Sequence, residues 1–201
     1  MRPPSKTALF ATAKCWNACT VGWIVSAAPT LIDATDPEGR TALHIACAVK
    51  PGGDDLGEPK GIDTVSVLLE AGVDLERAVR MDEGDFRATP LRYAVARGEN
   101  LPLLRFLLQS GADASYSLWA AAWRDDPVLC RELLNSSPRL NFRAHGETPI
   151  FYAARLRRLK VLDMLIAAGA DPRVPDLRGR NALAIARARR CRAKSSPDWR
   201  S

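Results

Sequence analysis

Six short phrases punctuate the 201 residues: Thr7-Ala8-Leu9-Phe10, Thr41-Ala42-Leu43-His44, Thr89-Pro90-Leu91-Arg92, Ser115-Tyr116-Ser117-Leu118, Thr148-Pro149-Ile150-Phe151 and Asn181-Ala182-Leu183-Ala184. Their starts lie 34, 48, 26, 33 and 33 residues apart. A second phrase trails three of them: Val67-Leu68-Leu69-Glu70-Ala71-Gly72-Val73-Asp74, Phe106-Leu107-Leu108-Gln109-Ser110-Gly111-Ala112-Asp113 and Met164-Leu165-Ile166-Ala167-Ala168-Gly169-Ala170-Asp171. Two phrases returning in one order at one spacing describe a single supersecondary unit used repeatedly. Such a unit cannot bury its apolar face alone, so the core must come from stacking neighbours.

Residue chemistry says what the unit is. A Thr, Ser or Asn ahead of a helix can accept hydrogen bonds from its first unpaired amides. Pro90 and Pro149 then fall at the first helical position, where a missing N–H costs nothing. Leu43, Leu91, Ile150 and Leu183, with Ala46, Ala94, Ala153 and Ala186 three residues on, form one helical stripe. Val65, Leu68 and Leu69, then Leu104, Leu107 and Leu108, then Leu162, Leu165 and Ile166 form the stripe of a second helix. Gly72, Gly111 and Gly169 are placed to end that second helix in a left-handed conformation. The unit is a helical hairpin.

These residues resemble the ankyrin-repeat family, with its T-P-L-H opening, its L-L-x-x-G-A-D closing and its period of about 33. The resemblance covers residues 7–190 and implies an all-α solenoid of about six stacked helix-turn-helix units with divergent caps. We expect one domain over 1–194, with repeats near 5–35, 36–81, 82–114, 115–141, 142–174 and 175–194, and a disordered tail at 195–201. Pro51-Gly52-Gly53-Asp54-Asp55-Leu56-Gly57-Glu58-Pro59 lengthens the second unit as an exposed loop. The 26-residue step predicts a fourth unit without the β-turn finger that precedes the other inner helices. Its closing phrase, Leu133-Leu134-Asn135-Ser136-Ser137, has lost the glycine.

The family resemblance implies a concave face of fingertips and inner helices that holds a partner protein. Carried across, its variable positions give Pro37, Glu38 and Arg40 at one fingertip, and Asp85, Phe86 and Ala88 at the next. Ala144, His145 and Glu147 make a third, and Leu177, Arg178 and Arg180 a fourth. Inner-helix ends add Val49, Arg97, Trp123, Arg155 and Arg189. Exposed Trp and Arg dominate interface energetics, which singles out Trp123. The alternative is that Trp119 and Trp123 fill the gap left by the missing finger. Tyr93 and Trp119 are expected half-buried.

Catalysis has little support. The two histidines are His44 and His145, and His44 lies three residues before Cys47, a geometrically conceivable pair. The family reading instead has His44 bracing its own turn. Five scattered cysteines and two histidines match no metal pattern. No G-x-x-x-x-G-K-[ST] or G-x-G-x-x-G phrase cradles a nucleotide. The expectation is a non-enzymatic module with no cofactor and no metal.

Charge and cysteines set the surroundings. Residues 1–100 carry 11 Lys/Arg against 14 Asp/Glu, and residues 101–201 carry 18 against 9. The excess lies in 155–201, with 13 basic and 4 acidic side chains. An acidic protein could use that end, and so could nucleic acid, but no base-stacking motif accompanies the charge. Arg187, Arg189, Arg190, Arg192 and Lys194 equally suit a solvated cap beside a helix C-terminus. An odd number of cysteines suits a reducing compartment, so the cytoplasm is expected. A cleaved N-terminal signal fits poorly, because Lys14 and Asn17 interrupt it. No apolar stretch is long enough for a membrane span. An adaptor, a scaffold, an inhibitor, a secreted effector and an immunity-type protein would all look like this, and a monomer is expected.

Overall fold

The computed structural model describes residues 4–14, 18–50, 61–80, 87–98, 100–144 and 146–194, with side chains of the last helix described as far as Ala188. The inserted loop of 51–59 and the tail of 195–201 lie outside the described residues. The chain divides into two compact units, between Ser117 and Leu118.

The first unit contains helices α1 (Lys6–Lys14), α2 (Ala18–Ala27), α3 (Ala42–Ala48), α4 (Ile62–Glu70), α5 (Pro90–Tyr93) and α6 (Leu101–Gln109). Strands β1 (Val79–Arg80) and β2 (Arg87–Ala88) pair antiparallel ahead of α5, with Val79 opposite Ala88. Inner helices α1, α3 and α5 pack in series, as do outer helices α2, α4 and α6. Each hairpin also packs on itself, α1 on α2, α3 on α4 and α5 on α6. The second unit repeats the scheme with α7 (Leu118–Arg124), α8 (Pro127–Asn135), α9 (Pro149–Leu156), α10 (Leu159–Ala167) and α11 (Ala182–Lys194). There α7, α9 and α11 are the inner series, and α8 packs on α10.

Most expected caps are present. Thr89 Oγ1 accepts from the Arg92 amide at 3.4 Å, and Thr148 Oγ1 from the Phe151 amide at 3.3 Å. Asn181 Oδ1 accepts from the Ala184 amide at 2.8 Å. The first repeat departs from the pattern: α1 starts at Lys6, so Thr7 lies inside it, and the Ala8 amide donates to Ser5 Oγ instead. The fourth also departs, because Ser115–Ser117 forms a 3-10 turn and the helix begins at Leu118. No finger precedes α7, as the short spacing predicts.

The core follows the stripes closely. Leu43, Leu91 and Ile150 are buried, as are Ala46, Ala94, Ala153, Val65, Leu68, Leu104, Leu107 and Leu165. Leu69, Leu108 and Leu162 are half-buried at the stripe edge. Leu183 on α11 and Ile166 on α10 are exposed; among the described residues no further hairpin covers these two helices. Tyr93 and Trp119 are buried rather than half-buried; Trp119 meets the Phe142 ring edge-on at 5.9 Å.

The outer helices after α2 end in two ways. After α4, α6 and α10, Gly72, Gly111 and Gly169 have φ of 90°, 95° and 94°. The following amides (Val73, Ala112, Ala170) then turn back onto the carbonyls of Leu68, Leu107 and Leu165. After α8 the left-handed residue is Ser137, φ 55°, and the next residue, Pro138, has no N–H to give. The Leu133 carbonyl is satisfied instead by Ser136 Oγ at 2.7 Å. A left-handed residue with a Cβ costs roughly 1–2 kcal/mol. Ser137→Gly should therefore raise stability by about 1 kcal/mol, or roughly 2–4 °C in Tm. A calorimetric scan showing no rise would mean the serine side chain contributes something that offsets the strain.

Side chains also tie successive hairpins. Glu76 Oε1 accepts from the Asp113 amide at 2.8 Å, and Asn141 Oδ1 from the Asp171 amide at 2.8 Å. Helix α10 has no cap of its own at Arg158; Asp125 of the preceding hairpin accepts from the Val161 amide at 3.3 Å.

Candidate functional site

The fingers that precede inner helices are built to hold their tips still. Asp36-Pro37-Glu38-Gly39-Arg40 and Asp176-Leu177-Arg178-Gly179-Arg180 share one frame. Asp36 Oδ1 accepts from the Glu38 and Arg40 amides at 3.1 and 2.8 Å, and Oδ2 from Arg40 Nε at 2.7 Å. Asp176 repeats this with the Arg178 and Arg180 amides at 2.9 and 2.8 Å and with Arg180 Nε at 2.9 Å. Gly39 and Gly179 turn the corner at φ 79° and 71°. Burial alone would raise both carboxyls. The hydrogen bonds from the arginine of each frame outweigh it and hold Asp36 and Asp176 below the usual carboxylate range.

The finger ahead of α9 lacks the aspartate. Ala144 and Glu147 exchange backbone bonds at 3.0 and 3.1 Å, with Gly146 at φ 72°. A Cβ on Gly146 would collide with Leu177 Cγ, so Leu177 of the next finger rests directly on this turn. Glu147 Oε2 accepts from Arg155 Nε and Nη2 at 3.2 and 3.0 Å.

The expected site residues are therefore of three kinds. Arg40, Glu147, Arg155 and Arg180 are partly committed to holding fingers, the first through Asp36 and also Glu38 at 2.9 Å. Their guanidiniums also lie near rings: Arg155 is 5.0 Å from Tyr152 and Arg180 5.7 Å from Phe151. Arg97 is exposed, its guanidinium 5.4 Å from the Tyr93 ring. Glu38, Arg178 and Trp123 are exposed, and Val49 is half-buried at the end of α3. Asp85, Phe86, His145 and the Arg189 side chain lie outside the described residues. The frame aspartates Asp36 and Asp176 escaped the sequence reading, although the twice-used D-x-x-G-R phrase announces them.

His44 sits where the family places a bracing histidine. The Thr41 amide donates to Nδ1 at 3.2 Å, and Nε2 lies 3.3 Å from the Ala88 carbonyl at the base of the next finger. Burial pulls its pKa down to about 4, and burial pushes the Cys47 thiol up. A nucleophilic pair needs the opposite, an accessible thiolate beside a basic imidazole. Cys130 is likewise pushed up to about 11 by burial. No metal-binding group and no helix long and apolar enough to cross a membrane occurs among the described residues.

Stacked helical hairpins, several of them introduced by a rigid finger, define a class of repeat proteins. Family models described as "Ankyrin repeats (3 copies)" and "Ankyrin repeat" match residues 91–176 and 38–78. The chain belongs to the ankyrin-repeat family. An ankyrin repeat domain from Acinetobacter baumannii AYE is similar over 94% of both chains, with 27% identity and a TM-score of 0.69. The ankyrin repeat domain of Bcl-3, at 20% identity and a TM-score of 0.62, shares the fold, over 93% of this chain and 96% of that one. Among curated relatives, "Ankyrin repeat, SAM and basic leucine zipper domain-containing protein 1" of Dasypus novemcinctus is 33% identical over 55% of this chain. Neurogenic locus Notch protein of Drosophila melanogaster is 35% identical over 70% of it, and NF-kappa-B inhibitor delta of Mus musculus 28% over 77%. The chain spans 24%, 6% and 54% of their respective lengths. Ankyrin repeats are in general protein–protein interaction modules.

Proposed function

We propose that this chain is a non-catalytic interaction module, an adaptor, scaffold or inhibitor, that holds a partner protein against its fingers and inner helices. The observation that carries the reading is Trp123. Leu118, Trp119, Ala120, Ala121 and Ala122 of α7 are all buried, yet Trp123 is 56% exposed. Exposing a large indole has no folding benefit, whereas Trp is among the residues that contribute most at interfaces. Of the two readings of the paired tryptophans, packing accounts for Trp119 and recognition for Trp123. A relative named as an inhibitor, NF-kappa-B inhibitor delta, keeps that role within range. Buried free thiols at Cys47 and Cys130 favour a reducing compartment.

Affinity capture from the native cell, with binding then measured on the captured protein, tests this. Trp123→Ala and Arg97→Ala, made singly, should keep the helical circular dichroism of the parent. Trp123→Ala is expected to weaken binding by about tenfold or more, as loss of a hot-spot residue does. If Trp123→Ala binds the captured protein as tightly as the parent, the inner helices of the second unit are not the binding surface, and Arg97→Ala tests those of the first unit in the same way. Cys47→Ser should leave the function intact.

A further inference from the structure

The two D-x-x-G-R fingers have the same frame and differ only at the tip, Pro37-Glu38 in one and Leu177-Arg178 in the other. In the first, the tip presents the carboxylate of Glu38, 63% exposed. In the framing ion pair the order is the same in both fingers, and Arg40 at 27% already stands over Asp36 at 8%. Arg180 is 42% exposed with Asp176 behind it at 5%, and Arg155 is 37% exposed over Glu147 at 19%. Solvent therefore meets guanidiniums while their carboxylates are turned inward. Arg178 stands at the tip, exposed, with no ion pair among the described residues. Beside it Leu177 is 81% exposed while resting on Gly146.

We infer that the finger of residues 176–180, with Arg155, binds a protein segment in which an Asp or Glu stands next to an apolar side chain. This rests on the interaction reading above and adds the chemistry of the partner. The carboxylate pairs with Arg178, whose backbone is fixed because its amide is tied to Asp176. The apolar neighbour covers Leu177, whose exposed surface is held in place from below. A nucleic acid is the poorer match. Arg155 and Arg180 each spend Nε and Nη2 on their own carboxylate, leaving a local net charge of about one. Duplex affinity scales with the number of phosphates neutralised, so one uncompensated cation gives little binding and a shallow salt dependence. An exposed leucine adds nothing on a phosphate backbone.

The test is selection of a phage-displayed random peptide library on the whole chain, followed by fluorescence anisotropy with the recovered peptides. Recovered peptides should share an Asp or Glu beside Leu, Ile, Phe or Met. Replacing that acid by its amide should raise Kd at least tenfold. Arg178→Glu should do the same, and it will fold, because the first finger carries Glu38 at that place in the same frame. Peptides without acidic bias, affinity unchanged by Arg178→Glu, or an arbitrary DNA duplex bound as tightly as the peptides would each overturn the proposal. Peptides that lack the acid yet depend on Trp123 would remove it and leave the wider interaction reading standing. An empty selection also overturns it, while capture with the Trp123→Ala variant still decides the wider reading.

Discussion

Phe151→Ala is expected to cost about 3–5 kcal/mol, the range for deleting a buried aromatic ring. The ring is fully buried on α9, the helix that α7, α10 and α11 all pack against. Truncation therefore opens a cavity facing several elements at once, and helices of this length cannot close around it without losing contacts elsewhere. The same change removes the ring near which the Arg180 guanidinium sits at 5.7 Å, loosening the finger of residues 176–180 from beneath. Repeat arrays unfold by loss of interfaces between neighbours, so α11, held in its unit by α9, should melt first. Equilibrium urea denaturation followed by circular dichroism measures the cost. A midpoint corresponding to less than about 1 kcal/mol would mean that the second unit's core is not organised around this ring.

Phe151 also shows how the sequence discloses this fold and where it stops doing so. It occupies the fourth place of the opening phrase, where the second repeat has His44. The phrase reveals that the place exists, since hairpin geometry is set by residues only a few positions apart. It does not reveal which chemistry fills the place, because that is decided by the facing hairpin. The same division runs through the chain. Caps at Thr89 and Thr148, glycine stops at Gly72, Gly111 and Gly169, and the absent finger before α7 are local and were legible. Ser5 in place of Thr7 was not, since either residue can cap and the packing of α1 makes the choice. The single π-turn over Ala94–Gly98 was equally hidden, because Ala, Val, Ala and Arg fit any helical register.

The candidate face divides in the same manner. Position in the repeat was enough to nominate Glu38, Arg178 and Trp123, which are exposed. It could not show that Arg40, Arg155 and Arg180 spend donors on Asp36, Glu147 and Asp176, because those bonds depend on how each finger folds back. Surface charge counted from sequence thus overstates what a partner meets in some places and misses it in others. The sign of the exposed residue at the third place of the D-x-x-G-R frame, rather than net charge, distinguishes the tip at Glu38 from the tip at Arg178.

Lowering the pH from 7 to about 4.5 should destabilise the protein by about 2–3 kcal/mol through His44 alone. The ring is fully buried, and its hydrogen bonds fix its tautomer. Because the Thr41 amide donates to Nδ1, that nitrogen must be the acceptor, and Nε2 carries the proton toward the Ala88 carbonyl. A second proton has no room at Nδ1 unless the amide bond is given up. Burial draws the folded pKa to about 4 from the ordinary 6.5, with Arg40 adding to the fall and the Ala88 and Arg77 carbonyls and Asp36 opposing it. Between those values the unfolded chain binds more protons than the folded one, so stability rises with pH across that window. It is fully present above pH 6.5 and is lost as pH falls toward 4. Urea titrations of the parent at the two pH values read the difference directly. In His44→Phe, which sets at this place the residue the fifth repeat uses, the baseline stability is lower but the dependence on pH over this window should nearly vanish. A parent whose stability is flat from pH 7 to 4.5 would show that the imidazole is not held neutral against the finger base.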